Sequence, residues 1–464
     1  MTTRAHPYMG NSAPAIKQEL LDAVGVSDVD ELFAQIPADH RITRELELPR
    51  ALSSEVELRR HVRDVLGKNR SADELLSFLG GGCWQHHVPA ICDEMATRTE
   101  FVTSEWGTPS SDLGRNQAWF EFQAQIGELV ALDFVGLPVY SWGCAAGFAI
   151  RMAERITKRS KVLVPADLDP ERLAVIRTYC QPAEMPTHIA IEQVAVDPAT
   201  GRLDLAALDA ALGDDVAAVY VENPTSSGVV ESDLAAIAAA ARTAGAETIA
   251  GVDPISLGTL APPGELGVDI AVGNIQPLGI HMHCGGGVGG FIATRDEERY
   301  ARQYPTLQVT ALETPTGRTG FSMTLFEQSS YGRREAGNDW TGNSTYLWAI
   351  VAATYLSWVG PHGLADLGET IMARSEYAAE RIAAIDGCAV RYPNFFKEFV
   401  VDLTGTGRPV AEVNAALLDR GIIGGIDLTG RTPGLDGCAL FCVTEVHTQA
   451  DIDRLAEALQ EVAA

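Results

Sequence analysis

Six short runs of β-branched and small apolar residues are the most constraining feature of this chain. They are KVLVPADL (161–168), HIAIEQVAV (188–196), AAVYVENP (217–224), ETIAGVDP (247–254), DIAVGNI (269–275) and GGFIATR (289–295). Between them lie the helix-like stretches ERLAVIRTYC (171–180), LAALDAALG (205–213) and DLAAIAAAARTAG (233–245). Strands joined by helices of this length predict a mostly parallel α/β sheet covered on both faces. In such sheets ligands sit at the carboxyl ends of the strands.

The rest of the chain arranges itself around that body. Residues 1–71 predict an N-terminal helical arm: Ser27 stands as a cap before SDVDELFAQI continues as helix, and SSEVELRRHVRDVLG carries Leu and Val at helical spacing. Residues 72–360 form the large α/β domain, and 361–464 a small C-terminal α+β domain, with a linker near WVGPHGLADLG (358–368). A formal net charge of −27 argues against binding bare nucleic acid or an anionic membrane, both of which need a basic surface. The N-terminus has no apolar leader and the apolar runs are short, so a cytoplasmic location without a membrane span is expected. Eight cysteines without a CxxC pair predict reduced, mostly buried thiols.

A large sheet domain, a helical arm and a small α+β domain make up the plan of the fold-type I pyridoxal phosphate transferases. That plan needs three things: an Asp at a strand end for the pyridine nitrogen, a helix N-terminus for the phosphate, and a Lys after the next strand for the Schiff base. Asp253 fits the first. For the second, VYSWGCAAG (139–147) offers Ser141 with the amides of Gly143, Cys144 and Ala145 at a strand-to-helix junction. The third is missing, because Gln276, Pro277 and Leu278 stand where the lysine belongs. The five lysines, Lys17, Lys68, Lys158, Lys161 and Lys397, lie elsewhere, in the arm, at a helix end and in the small domain.

Along nearly its whole length the sequence resembles subunit 1, the alpha chain, of the two-chain glycine dehydrogenase (decarboxylating), the P-protein of the glycine cleavage system. The likeness is carried by DELFAQIP, LPRALSS, FLGGGCWQHHVPAICDEMATRTEF, FEFQAQIGEL, DPISLGTLAPPGELGVDIAVGNIQPLGI, NFFKEFVVDL, VAEVNAALLDRGIIGGIDL and FCVTEVHT, in order. The resemblance implies a homologous lysine-bearing beta subunit that holds most of the pyridoxal phosphate site. It implies glycine decarboxylation, with the aminomethyl group passed to the lipoyl arm of the H-protein. Any site at Ser141, Gly143, Cys144 and Asp253 in this chain is then a cofactor site or its vestige. Two other readings stay open, a repurposed paralogue in specialised metabolism with another acceptor and a non-catalytic stabilising partner.

The loops depart from the family pattern. GGGCWQHHVP replaces a loop close to Gly-Ala-Gly-x-Tyr-Asp-His-Tyr-Val-Pro, so Trp84, Gln85 and His87 are substitutions while His86, Val88 and Pro89 match. SEWGTPSSDLGRNQ (104–117), YSWGCAAG (140–147), IHMHCGG (280–286) and AGNDWTGNS (336–344) also differ. Change concentrated at the loops suggests a changed substrate or reaction. Trp84, His86 and His87 become candidate catalytic residues in an interface loop, either holding a carboxylate and moving a proton or bonding across the subunit interface. His281, His283 and Cys284 form an outside candidate for a metal site, with polar filling of an interface as the plainer reading; extended backbone puts the two histidines on one face.

Overall fold

A computed structural model describes residues 5–42, 44–102, 109–180, 183–184, 187–286, 288–324, 329–341 and 344–463. Part of the divergent 104–117 stretch, Gly287 and the 342–343 pair of the 336–344 stretch lie outside the described residues. The backbone divides into two units, Met1–Arg70 and Ser71–Ala464.

The alternating runs of the sequence form a seven-stranded sheet: β1 (Phe134–Val135), β2 (Lys161–Pro165), β3 (Ala190–Val194), β4 (Val216–Asn223), β5 (Glu247–Val252), β6 (Ile270–Asn274) and β7 (Gly290–Thr294). Their spatial order is β1-β7-β6-β5-β4-β2-β3. Only β7 runs against the others; β2, β3, β4, β5 and β6 pair in parallel. Every residue of β4, β5, β6 and β7 is buried, as expected of strands covered on both faces. The strand period of two sorts the side chains: Val219, Val221, Ala250, Val252 and Ala271 join one core, while Val162, Val164, Tyr220, Ile249 and Val272 join another with the helix Trp142–Thr157. The carboxyl ends of β4, β5 and β6 therefore deliver Asn223, Asp253 and Asn274 to one edge.

The small antiparallel sheet comprises β8 (Ala389–Val390), β9 (Glu398–Asp402), β10 (Ile426–Asp427) and β11 (Cys438–Cys442), in the order β8-β9-β11-β10. Leu76–Ser77 pairs in parallel with Ile422–Ile423, which anchors the entry to loop 80–89 on the small sheet's side. The loop then crosses to the ends of β5 and β6.

Two stretches take forms that the sequence pattern does not show. At 358–368 two helices, together Tyr346–Ala383, meet across a kink where Gly360 takes φ 64° and ψ 174° ahead of Pro361. The expected boundary at 360 thus falls on a kink, because Pro361 forgoes its N–H at the first turn of the second half. In the arm, DELFAQI makes only a 3₁₀ turn, Val29–Phe33, capped by Asp28 rather than Ser27; the Ser27 backbone and hydroxyl bond the Glu31 carboxylate instead. The second arm helix does form, at Glu55–Leu66. All eight cysteines are free thiols; Cys92, Cys180, Cys388, Cys438 and Cys442 are buried, and Cys284 is exposed.

Candidate functional site

Loop 80–89 can cross the sheet edge because of its three glycines. A Cβ on Gly80 would stand 1.9 Å from Glu398 Oε1, and one on Gly82 would stand 2.6 Å from Arg172 Nη1. Gly81 and Gly82 hold φ of 81° and 98°, values that larger residues rarely adopt. Gly81 N–H donates to Glu398 Oε1 at 2.6 Å, and burial pushes the Glu398 carboxyl above its ordinary range despite that bond and the nearby Lys397.

Gln276, at the position where a Schiff-base lysine was expected, fastens this loop. Its amide accepts from Trp84 N–H at 3.1 Å and donates to Trp84 O and Ile280 O at 2.9 and 3.1 Å. Asn274 Nδ2 donates to Gly82 O at 2.7 Å, and Asn274 Oδ1 accepts from the Gln276 backbone at 2.9 Å. A side chain that could have carried chemistry is fully spent on backbone.

Asp253 ends β5 in a turn where its Oδ1 accepts from Ile255 N–H. Its Oδ2 forms an ion pair with Lys397 Nζ at 2.7 Å, with both side chains about 3% exposed. The same ammonium sits 3.4 Å from the centre of the Trp84 ring and 3.0 Å from His86 Nε2. An ammonium has only donors, so His86 Nε2 accepts and His86 Nδ1–H donates to Glu445 Oε2 at 2.8 Å. Glu445 Oε1 takes the His87 backbone N–H at 2.6 Å. Burial raises the Glu445 carboxyl, and the hydrogen bonds from His86 Nδ1–H and the His87 amide lower it. Sequence reasoning placed Lys397 in the small domain and missed its role, since nothing local links residue 397 to residues 253 and 86.

The structure separates the loop candidates. Trp84 and His86 are buried among charged partners, whereas His87 is exposed. His87 lines a cleft of about 380 Å³ with Asp73, Gln85, Gln276, His281 and Met282. Residues 283–285 form a 3₁₀ turn and not the extended segment expected, with φ of 46° at His283 and 55° at Cys284. His283 stacks on Trp348 at 5.2 Å, and His281 Nε2 meets Asp93 Oδ1 at 2.9 Å. Among the described residues no three His, Cys, Asp or Glu side chains converge as metal ligands.

At the other end of the cradle Ser141 caps the Trp142–Thr157 helix, its hydroxyl accepting from Cys144 N–H at 3.3 Å. Gly143 is packed against Val175, which a Cβ would meet at 3.0 Å. Beside Trp142, the buried Arg172 guanidinium lies 4.5 Å above the indole and grips Glu222 through two bonds of 2.7 and 2.8 Å. The space left between Trp84, Trp142, Arg172, Asp253 and Lys397 is about 30 Å³, room for a water or two. A drug-sized ligand needs on the order of 300 Å³ or more. The residues of this chain therefore do not fit pyridoxal phosphate: the carboxylate is paired, the ring space is filled and no lysine lies at 276–278.

A mostly parallel sheet with a reversed β7, its strand-end Asp and a small C-terminal sheet folding over that edge define the fold-type I class of pyridoxal phosphate enzymes. Within that class the chain belongs to the glycine cleavage system P-protein family, whose model matches residues 6–459. It is 37% identical to the probable glycine dehydrogenase (decarboxylating) subunit 1 of Aeropyrum pernix, over 98% of this chain and 99% of that one. The subunit 1 of Desulfitobacterium hafniense is 34% identical over 96% and 98% of the two chains. Among solved structures, glycine decarboxylase (P-protein) of the glycine cleavage system in inhibitor-bound form superposes with a TM-score of 0.86 at 32% identity, covering 99% of this chain and all of that one. Burkholderia pseudomallei sphingosine-1-phosphate lyase shares the fold alone, at a TM-score of 0.63 and 16% identity. No helix among the described residues is long and apolar enough to cross a membrane.

Proposed function

We propose that this chain is the lysine-free subunit of a cytoplasmic glycine decarboxylase, acting with a homologous lysine-bearing subunit that holds pyridoxal phosphate. The complex decarboxylates glycine and passes the aminomethyl group to a lipoyl carrier. One observation carries the division of labour: Gln276 stands in the lysine position and is saturated by backbone bonds, in a cradle too full for the cofactor. What this chain offers the reaction is surface. His87 and the cleft of residues 71–88 and 276–282 are its accessible polar groups beside the loop.

The arm supports pairing. The Glu55–Leu66 helix buries none of its residues, and Leu58, Val62 and Val65 recur along one exposed stripe. A partner of obligate type would cover such a stripe. The test is co-expression with the homologous chain that carries a lysine at the position of Gln276, followed by exchange of labelled bicarbonate into glycine. Exchange by the complex, and none by either chain alone, is the expected result. A complex that forms but exchanges label only with another amino acid would favour the repurposed reading, for which the rewritten loop residues Trp84 and His87 speak.

A further inference from the structure

We infer that Lys397 is a resident substitute for a cofactor cation, which closes this chain's own cradle and positions loop 80–89 by fixing His86 as a neutral tautomer. A strand-end carboxylate in a cradle of this fold is placed to neutralise a cation. Here the cation comes from the polypeptide, and it lies beside three electron-rich groups: Asp253 Oδ2 at 2.7 Å, the Trp84 face at 3.4 Å and His86 Nε2 at 3.0 Å. Each contact does a different job. Asp253 offsets the charge, which a buried ammonium requires. Trp84 contributes cation–π attraction in a site shut from water. His86 Nε2 accepts a hydrogen bond from the ammonium and so carries no proton, while Nδ1–H donates to Glu445, whose second oxygen holds the His87 backbone. The chain of contacts Asp253, Lys397, His86, Glu445, His87 thus runs from the filled cradle to the cleft surface, a span that links β5 of the large sheet to the segments flanking the small sheet.

Lys397 is on this account a positioning residue. It touches no substrate and acts through His86 and the loop backbone. The same contacts explain why His86 faces inward while its neighbour faces the cleft.

The test uses the full-length chain without turnover, so that its failure leaves the glycine reading standing. Lys397→Met, Asp253→Asn and the double variant are compared by thermal midpoint, by amide exchange of residues 81–88 and by nitrogen chemical shifts of the histidine rings, with His86→Gln assigning the resonance. Each single variant lowers the midpoint, and the double variant recovers most of that loss because neither charge is left alone. Loop exchange rises by roughly ten-fold or more in both variants lacking Lys397, the double variant included, since His86 has lost its donor. The His86 Nε2 shift is that of an unprotonated nitrogen accepting a hydrogen bond only where Lys397 is present, while Nδ1 keeps its proton toward Glu445 in every variant. Additive midpoint losses, unchanged loop exchange or an unchanged His86 Nε2 shift would overturn the proposal. If Lys397→Met does not fold, the double variant carries the loop-exchange and ring readings, because neither charge is left alone in it. Equilibrium dialysis of the wild-type chain against pyridoxal 5′-phosphate gives no stoichiometric uptake; uptake abolished by Asp253→Asn would refute the substitution of cation for cofactor.

Discussion

His86 and His87 are adjacent in sequence and opposite in circumstance. His87→Ala removes an exposed ring and is expected to leave the thermal midpoint unchanged; where the loop takes part in the reaction, turnover of the assembled complex falls by roughly ten-fold. His86→Ala removes the Nε2 acceptor of Lys397 and the Nδ1–H donor of Glu445, at a cost of about 1–3 kcal/mol, so its activity loss should follow its loss of stability. Calorimetry on both variants, read beside turnover, separates the two. Glu445 gives a pH prediction. The hydrogen bonds from His86 and His87 hold its carboxyl below the unfolded value, so its contribution is present above the unfolded pKa and is lost as pH falls below it. Glu445→Gln should weaken the protein at neutral pH and flatten that acid limb in a pH series of melting curves. Asp167 has the opposite sign: burial raises its carboxyl to about 6, so ionising it as pH rises costs stability, and Asp167→Asn should raise the midpoint at pH 8 but not at pH 4.

At the scale of elements, the helix Tyr346–Ala383 shows how one residue shapes a long segment. Gly360 has φ 64° and ψ 174°, a region open almost only to glycine, and among the described residues no atom beyond its own helix backbone and chain neighbours lies within 4 Å of where a Cβ would be. Gly360→Ala therefore isolates backbone strain from crowding and should destabilise by about 1–3 kcal/mol. A midpoint within error of wild type would mean that the kink relaxes into a straight helix. The arm shows a different element-level lesson. DELFAQI has the composition of a helix start, yet local bonds from Asp28 and Glu31 to nearby backbone hold it as a 3₁₀ turn without apolar burial.

The whole molecule separates into an arm that buries little and a body that buries two layers around one sheet. Val62→Asp with Leu66→Asp changes two exposed positions on a helix with no buried residue, so the midpoint of the isolated chain should shift by no more than about 0.5 kcal/mol equivalent. Light scattering with the partner subunit should nevertheless show loss of the complex. Retention of the complex would place the interface elsewhere on the body.

The sequence by itself determined the sheet, because burial on both faces forces continuous apolar runs between helices, and these can be seen without coordinates. It also revealed Asp253 and the absence of a lysine after β6, since both are positions relative to a strand end. What Gln276 and the glycines of loop 80–89 do was half legible: their identity flagged a close crossing, but not which backbone they approach. Only the tertiary structure decided the role of Lys397. The residue lies 144 positions after Asp253 and 311 after His86, and no periodicity relates side chains so far apart. Their meeting depends on the small sheet folding back over the strand ends, where a charge is stable only because three partners arrive from two separate segments, the end of β5 and loop 80–89.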